Sequence, residues 1–284
     1  MKYLVTGARG MLGTDLVEAL FGRDVTVLSR AELDISDRQA VADAVEGHDV
    51  VFNAAAYTQV DAAESHEEEA RAINAQAVGS LAEATARQGA KFVQVSTDYV
   101  FDGTSAEPYD EGLARAPLNA YGRTKAEGEE LARRANPDGT FIVRTAWTYG
   151  RHGANFPRTM LRLAETHDTV SVVTDQVGQP TWTTDLAERL VALVDADAPA
   201  GIYHGTNSGR ATWFEFARAV FSEAGLDPER VQPTDSTAFV RPAPRPAFSV
   251  LGHDGWAKAG LPPMRPWRDA LSAAWAQGVF EETP

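Results

Sequence analysis

The stretch Tyr3-Leu4-Val5-Thr6-Gly7-Ala8-Arg9-Gly10-Met11-Leu12-Gly13 decides the fold. Tyr3–Thr6 reads as a short buried strand, and the run from Leu12 to Phe21 has helical spacing. Between them, glycines at 7, 10 and 13 suit a tight turn, close backbone approach to a pyrophosphate, and close packing of helix on sheet. The free N–H groups at the start of a helix then face the anion. A glycine-rich turn by itself is a weak signal, and a merely tight turn is the plain alternative. Its place, after the first strand and at the head of a helix, makes it a phosphate-binding turn.

Outward from that turn, Val25–Ser29, Val50–Asn53, Phe92–Ser96 and Phe141–Arg144 read as further buried strands. Helical patterns over Arg38–Val45 and Ala70–Arg87 separate them. This alternation predicts an α/β fold, a Rossmann-type doubly wound parallel sheet. Past Thr145 the pattern loosens into strands at Val170–Val173 and Gly201–His204 and helices at Asp185–Leu193 and Trp213–Ala224. The expected organisation is a dinucleotide-binding domain over residues 1–146, with the chain returning to its sheet around 170–197 and 234–252. Residues 147–284 form mainly a smaller C-terminal α/β substrate domain. The proline-dense Arg241–Pro246 reads as an ordered crossing.

Composition narrows the function. The 284 residues are 44% hydrophobic and 23% charged, an ordinary globular balance. Forty acidic against 26 basic residues give a net charge of −14, with no basic stripe, so no nucleic-acid partner is expected. Nor is a membrane, since no apolar run is long enough to span one. The absence of cysteine excludes thiol nucleophiles and thiolate metal sites, and the six histidines lack paired ligand spacing, so no metal is expected. A cytoplasmic protein is the default.

The second strand ends Leu28-Ser29-Arg30. An acid at that point would hold a ribose 2′-hydroxyl, whereas an arginine accommodates a 2′-phosphate. Arg30 therefore favours NADPH, with NADH left open; a solvated surface arginine is the alternative. Tyr121-Gly122-Arg123-Thr124-Lys125 puts a phenol and an ammonium on one face at the head of a helix. A neighbouring cation lowers a phenol's pKa and makes it a usable acid. Only four of the 26 basic residues are lysine, yet one fills this slot. The preceding strand ends in Ser96-Thr97-Asp98-Tyr99.

TGxxGxxG at the N-terminus resembles the extended short-chain dehydrogenase/reductase family. More specific are NAAAYTQVDAAE (53–64), VSTDYVFDG (95–103), PLNAYGRTKAEGE (117–129), RTAWTYG (144–150), DQVGQPTW (175–182) and RPAFSVL (245–251). Together these are similar to the dTDP-4-dehydrorhamnose reductase family over nearly the whole chain. That resemblance implies NADPH- or NADH-dependent reduction at C4 of dTDP-4-dehydro-L-rhamnose, the last step toward dTDP-L-rhamnose. It implies that Thr97 polarises the C4 carbonyl, Tyr121 donates the proton, and Lys125 holds the cofactor ribose. Thr97, Asp98, Tyr121 and Trp147 would touch the nucleotide-sugar. The cofactor would lie against Gly7, Gly10, Met11, Leu12, Gly13, Arg30, Asp34, Ile35, Ala54, Ala55, Ala56, Tyr57 and Thr58, besides Tyr121 and Lys125. The expected partner is a dTDP-4-keto-6-deoxy sugar, and a homodimer is the assembly considered.

Other features read more plainly. Glu64-Ser-His66-Glu-Glu-Glu69 reads as a solvated helix start, and Trp213, Trp256, Trp267 and Trp275 as core. Asp175 and Gln176 are equally consistent with a structural turn and a substrate contact. The rival functions are a 4-ketoreductase of another dTDP-deoxysugar, an epimerase, and a non-enzymatic regulatory subunit. Arg30 speaks against the tightly held NAD of an epimerase, and the intact Thr97, Tyr121 and Lys125 against a non-catalytic role.

Overall fold

The apolar runs of the first half pair as parallel neighbours: β1 (Lys2–Thr6), β2 (Asp24–Leu28), β3 (Val50–Asn53), β4 (Lys91–Thr97) and β5 (Thr140–Thr145). The computed structural model describes residues 1–281, so the last three positions of the expected 147–284 segment lie outside the described residues. Beyond β5 come the two-residue β6 (Thr148–Tyr149), then β7 (Val170–Val173), β8 (Val177–Gly178) and β9 (Thr181–Trp182). They are followed by β10 (Gly201–His204), β11 (Ala211–Thr212) and β12 (Val231–Thr234). Among the described residues only β10 rejoins the main sheet, whose order is β2-β1-β3-β4-β5-β10. The order reverses between β1 and β3, so a crevice opens beyond the carboxyl ends of these strands.

The helices are α1 (Met11–Ala19), α2 (Arg38–Val45), α3 (Val60–Ala63), α4 (Glu67–Arg71), α5 (Ala77–Gln88) and α6 (Ala120–Ala135), then α7 (Phe156–Thr166), α8 (Thr183–Asp195), α9 (Trp213–Glu223), α10 (Asp254–Lys258) and α11 (Trp267–Ala276). Alternate strand residues face opposite layers. Val5, Phe52 and Val93 pack with Leu16 of α1 and Leu186 and Leu190 of α8. Leu4, Val51, Phe92 and Ile142 pack on the other face with Val41 of α2 and Leu81 of α5. A separate core gathers Tyr149, Trp182, Phe216 and Trp267 from the second half.

Two expectations shift. The helix expected over Ala70–Arg87 is interrupted by a π-helical turn, Ala72–Gln76. There Asn74 leaves the helical pattern to accept from the Tyr57 N–H (2.9 Å) and donate to the Tyr57 carbonyl (3.0 Å). Val170–Val173 does form a strand but does not return to the main sheet; it pairs in parallel with β12 in the second half. The return is made by α8 and β10; the return expected around 234–252 is not to the main sheet but through isolated bridges of Phe248 to Val177 and Leu251 to Tyr109. The segment 241–246 is an ordered crossing, because Arg245 pairs with Asp61 at 2.7 Å and Asn119 donates to the Pro244 carbonyl at 2.9 Å.

Candidate active site

The crevice is a cleft of about 1030 Å³ along the carboxyl ends of β1, β3, β4 and β5. Its floor begins with the turn after β1. Gly7 has φ +67°, and a Cβ there would come within 2.5 Å of the Ala55 nitrogen, so only glycine fits. Gly10 caps α1 without a side chain, and the first-turn amides of Met11, Leu12 and Gly13 are left for an anion. Arg30, Asp34, Ile35, Ala54, Ala55, Ala56 and Thr58 line the same cleft. Asp34 is partly engaged by its own turn, accepting from the Ser36 N–H and hydroxyl, which hold its carboxyl below the usual range.

The chemistry-bearing groups meet in the middle. β4 delivers Thr97 and Asp98, and α6 presents Tyr121 and Lys125 from its first two turns. The Asn119 side chain caps α6 by accepting from the Gly122 N–H at 2.8 Å. Tyr121 is fixed edge-on to Tyr99, centroids 5.9 Å apart. Burial and then Asp98 push its phenol up to about 12, opposed by the Thr97 hydroxyl. The expected lowering by Lys125 does not appear: desolvation and a nearby carboxyl set the direction. Burial pulls Lys125 down to about 8, and its Nζ donates to the Val95 carbonyl at 2.7 Å. Two of its three N–H bonds remain for a ligand. Asp98 is pushed up to about 6 by burial, against the Ser249 and Thr97 hydroxyls. Thr97 donates to Asp98 Oδ1 at 3.0 Å and accepts from the Tyr99 N–H at 3.2 Å.

Trp147 forms the wall beyond β5. Its backbone lies in the left-handed region at φ +46°, unusual for a bulky residue. Its indole stacks on Trp213 (centroids 3.6 Å, planes within 10°). The indole also lies against Gly178, where a Cβ would approach it to 2.5 Å.

The family model described as RmlD substrate binding domain matches residues 1–279. The chain belongs to the RmlD family. The resemblance to dTDP-4-dehydrorhamnose reductases drawn from its motifs is borne out. A dTDP-4-dehydrorhamnose reductase of Streptomyces griseus is 50% identical, the match covering 96% of this chain and 93% of that protein. A dTDP-4-keto-6-deoxy-D-glucose reductase of Streptomyces niveus is 48% identical, covering 96% of each. The crystal structure of dTDP-4-dehydrorhamnose reductase from Bacillus anthracis str. Ames in complex with NADP is 37% identical. It superposes with a TM-score of 0.93 over 98% of this chain and all of that one.

Within this RmlD-family chain the cleft collects every anticipated site residue except Tyr57, whose backbone Asn74 clamps and whose ring packs with Ala63, Ala70 and Ala120. It also holds residues not anticipated there: Arg9, Glu69, Thr145 and Trp213. Trp213 was expected in the core, and Glu69 in a solvated helix start. Glu64, from the same start, accepts from the Ala120 N–H at 2.7 Å and ties α6 in place. Asp175 accepts from the Ser236 N–H and hydroxyl, Gln176 donates to that hydroxyl, and neither lines the cleft. Among the described residues no group of three or more His, Asp or Glu could hold a metal ion, and no helix is long and apolar enough to cross a membrane.

Proposed function

We propose that the protein is an NADPH-dependent reductase of the C4 keto group of dTDP-4-dehydro-L-rhamnose, yielding dTDP-L-rhamnose. The observation that carries this reading is the convergence of the Gly7–Gly13 turn, Arg30, and the Thr97–Tyr121–Lys125 set in one cleft. The cleft fits such ligands: Asp98 Oδ2 and Thr145 Oγ1 are buried there without hydrogen-bond partners, so a polar ligand would complete them. NADPH would be held by the Met11–Gly13 amides at its pyrophosphate, by Arg30 at its 2′-phosphate and by Lys125 at a ribose. Bound there, the reduced nicotinamide supplies a hydride to C4.

The chain's own residues manage the proton. The Tyr121 phenol, about 12, stays protonated throughout the neutral range and gives its Oη proton to the C4 oxygen as negative charge develops there. The Lys125 ammonium stabilises the phenolate left behind. Thr97 polarises the carbonyl once its hydroxyl turns from Asp98 Oδ1 to the substrate. Trp147 packs on the sugar side.

The Streptomyces niveus relative supports a second reading, in which the substrate is another dTDP-4-keto-6-deoxy sugar. An NADPH-oxidation assay with dTDP-4-dehydro-L-rhamnose beside dTDP-4-keto-6-deoxy-D-glucose, with the C4 configuration of each product determined, decides between them. Turnover of neither sugar overturns the reductase. The proposal extends to residues 1–146 as the cofactor-binding part, 147–284 as mainly the substrate-binding part, a cytoplasmic site of action and a homodimer, the last tested by sedimentation.

A further inference from the structure

Beneath the catalytic residues lies a buried ionic group that the mechanism above does not use. Glu129, one helical turn beyond Lys125 on α6, is fully buried. Arg144 of β5, also buried, donates from Nε to Glu129 Oε1 at 2.9 Å and from Nη2 to Oε2 at 2.8 Å. Ser96 of β4, immediately before Thr97, donates to Glu129 Oε1 at 2.6 Å. Arg115, from the segment before α6, stands 3.5 Å from Oε2. One carboxylate thus ties the helix of Tyr121 and Lys125 to the strand ends of Thr97 and Thr145.

We propose that Glu129 is a positioning residue for the reduction, holding the Lys125 face of α6 and the Thr97 strand end against one another. This rests on the reductase reading above. An ion pair taken out of water is weak evidence for stability, because desolvation offsets most of its attraction. A pair so buried beside an active lysine has a better account in what it does to that lysine. Burial draws Lys125 toward its neutral form, and the attraction of Glu129 opposes it. The other titratable or charged neighbours are Arg144 on β5, His204 of β10 at 3.4 Å behind it, Arg115, and Tyr121 and Asp98 toward the cleft. His204 is held neutral by burial and by Arg144, which pull it to about 3. Of these groups, Glu129 is the carboxylate on the helix face of Lys125 itself.

The test is the pH dependence of NADPH binding by the full chain, followed by titration calorimetry. In Glu129→Gln, the Lys125 ammonium is lost at a pH lower by roughly one to two units. The dissociation constants of variant and wild type should agree within about threefold at pH 6 and differ by about fivefold or more at pH 8. If Glu129→Gln does not fold, Glu129→Gln/Arg144→Met, which leaves neither charge unpaired, is titrated instead, and its profile should move in the same direction by a smaller amount, because Glu129 rather than Arg144 acts on Lys125. Ser96→Ala, which keeps both charges, should lower turnover without moving the binding profile. Parallel profiles for the Glu129 variant and wild type overturn the role of Glu129 while leaving the reductase standing. A wild-type chain that binds no NADPH at any pH overturns both.

Discussion

Replacing Tyr121 by phenylalanine separates chemistry from architecture. The ring stays where it is, edge-on to Tyr99 and against Ala63, Ala70 and Ala120. The lost oxygen strands no donor, because the neighbouring Thr97 hydroxyl already donates to Asp98 Oδ1. The stability change should stay within about 1 kcal/mol, which for a chain of this size moves the melting temperature by no more than about 4 °C. A general acid supplies roughly 10²–10⁴ in rate. At about 1.36 kcal/mol per factor of ten, the barrier should rise by about 2.7–5.4 kcal/mol, several times the stability change. The assay follows NADPH consumption with saturating 4-keto sugar, alongside NADPH titration and a thermal melt. Turnover should collapse while NADPH affinity and melting temperature hold. A variant within tenfold of wild-type turnover would remove Tyr121 from the role of proton donor, and a large fall in melting temperature would make any loss of rate uninterpretable as chemistry.

Arg30→Ala should raise the Michaelis constant for NADPH by about 10–100-fold, the worth of a charge-assisted contact to a phosphate, and leave that for NADH within about twofold; an unchanged ratio sinks the assignment. Trp147→Ala should raise the Michaelis constant for the sugar about tenfold with NADPH binding preserved, and the reverse pattern in titrations would move Trp147 to the cofactor side. Asp98 makes a pH-dependent prediction. Its folded value, about 6, lies above the unfolded 3.8, so the protonated form is favoured by folding, and that stability is full below 3.8 and lost as pH rises through 6. Asp98→Asn should therefore melt higher than wild type at pH 8, by on the order of 1–2 kcal/mol after allowing for an unsatisfied amide. The advantage should vanish near pH 4, and equal differences in melts at both pH values would refute it.

Much of the site is written contiguously, and that part was legible. The glycines at 7, 10 and 13 sit on one turn, and Tyr121 and Lys125 on one helix face, so local geometry brings them together. What escaped depends on contacts far apart in sequence. Trp213 reaches the cleft only because α9 packs across the second core onto Trp147, 66 positions earlier in the chain. Helical spacing alone would have buried it. Tyr57 was expected among its lining neighbours, but Asn74, 17 residues on, takes both of its backbone groups. β7 has the apolar run of a sheet strand, yet which partner it takes is decided by β12, some 60 residues away. Arg9 sat inside the glycine turn as an unspecified position, where the side chain's direction is fixed only by the folded loop.

The left-handed backbone at Trp147 bears on how this enzyme could be given new substrates. Left-handed residues other than glycine and asparagine carry about 1–2 kcal/mol of conformational cost, and here a bulky indole carries it while packed against Trp213 and the bare backbone of Gly178. A β-branched replacement at 147 would add to that cost, and any side chain at 178 would expel the indole. A gene library that randomises 178, or that places β-branched residues at 147, should therefore return mostly unstable proteins. Diversity placed at 213, where the backbone is ordinary helix, reshapes the same wall through a second cleft-lining side chain and leaves the fold a margin to absorb it.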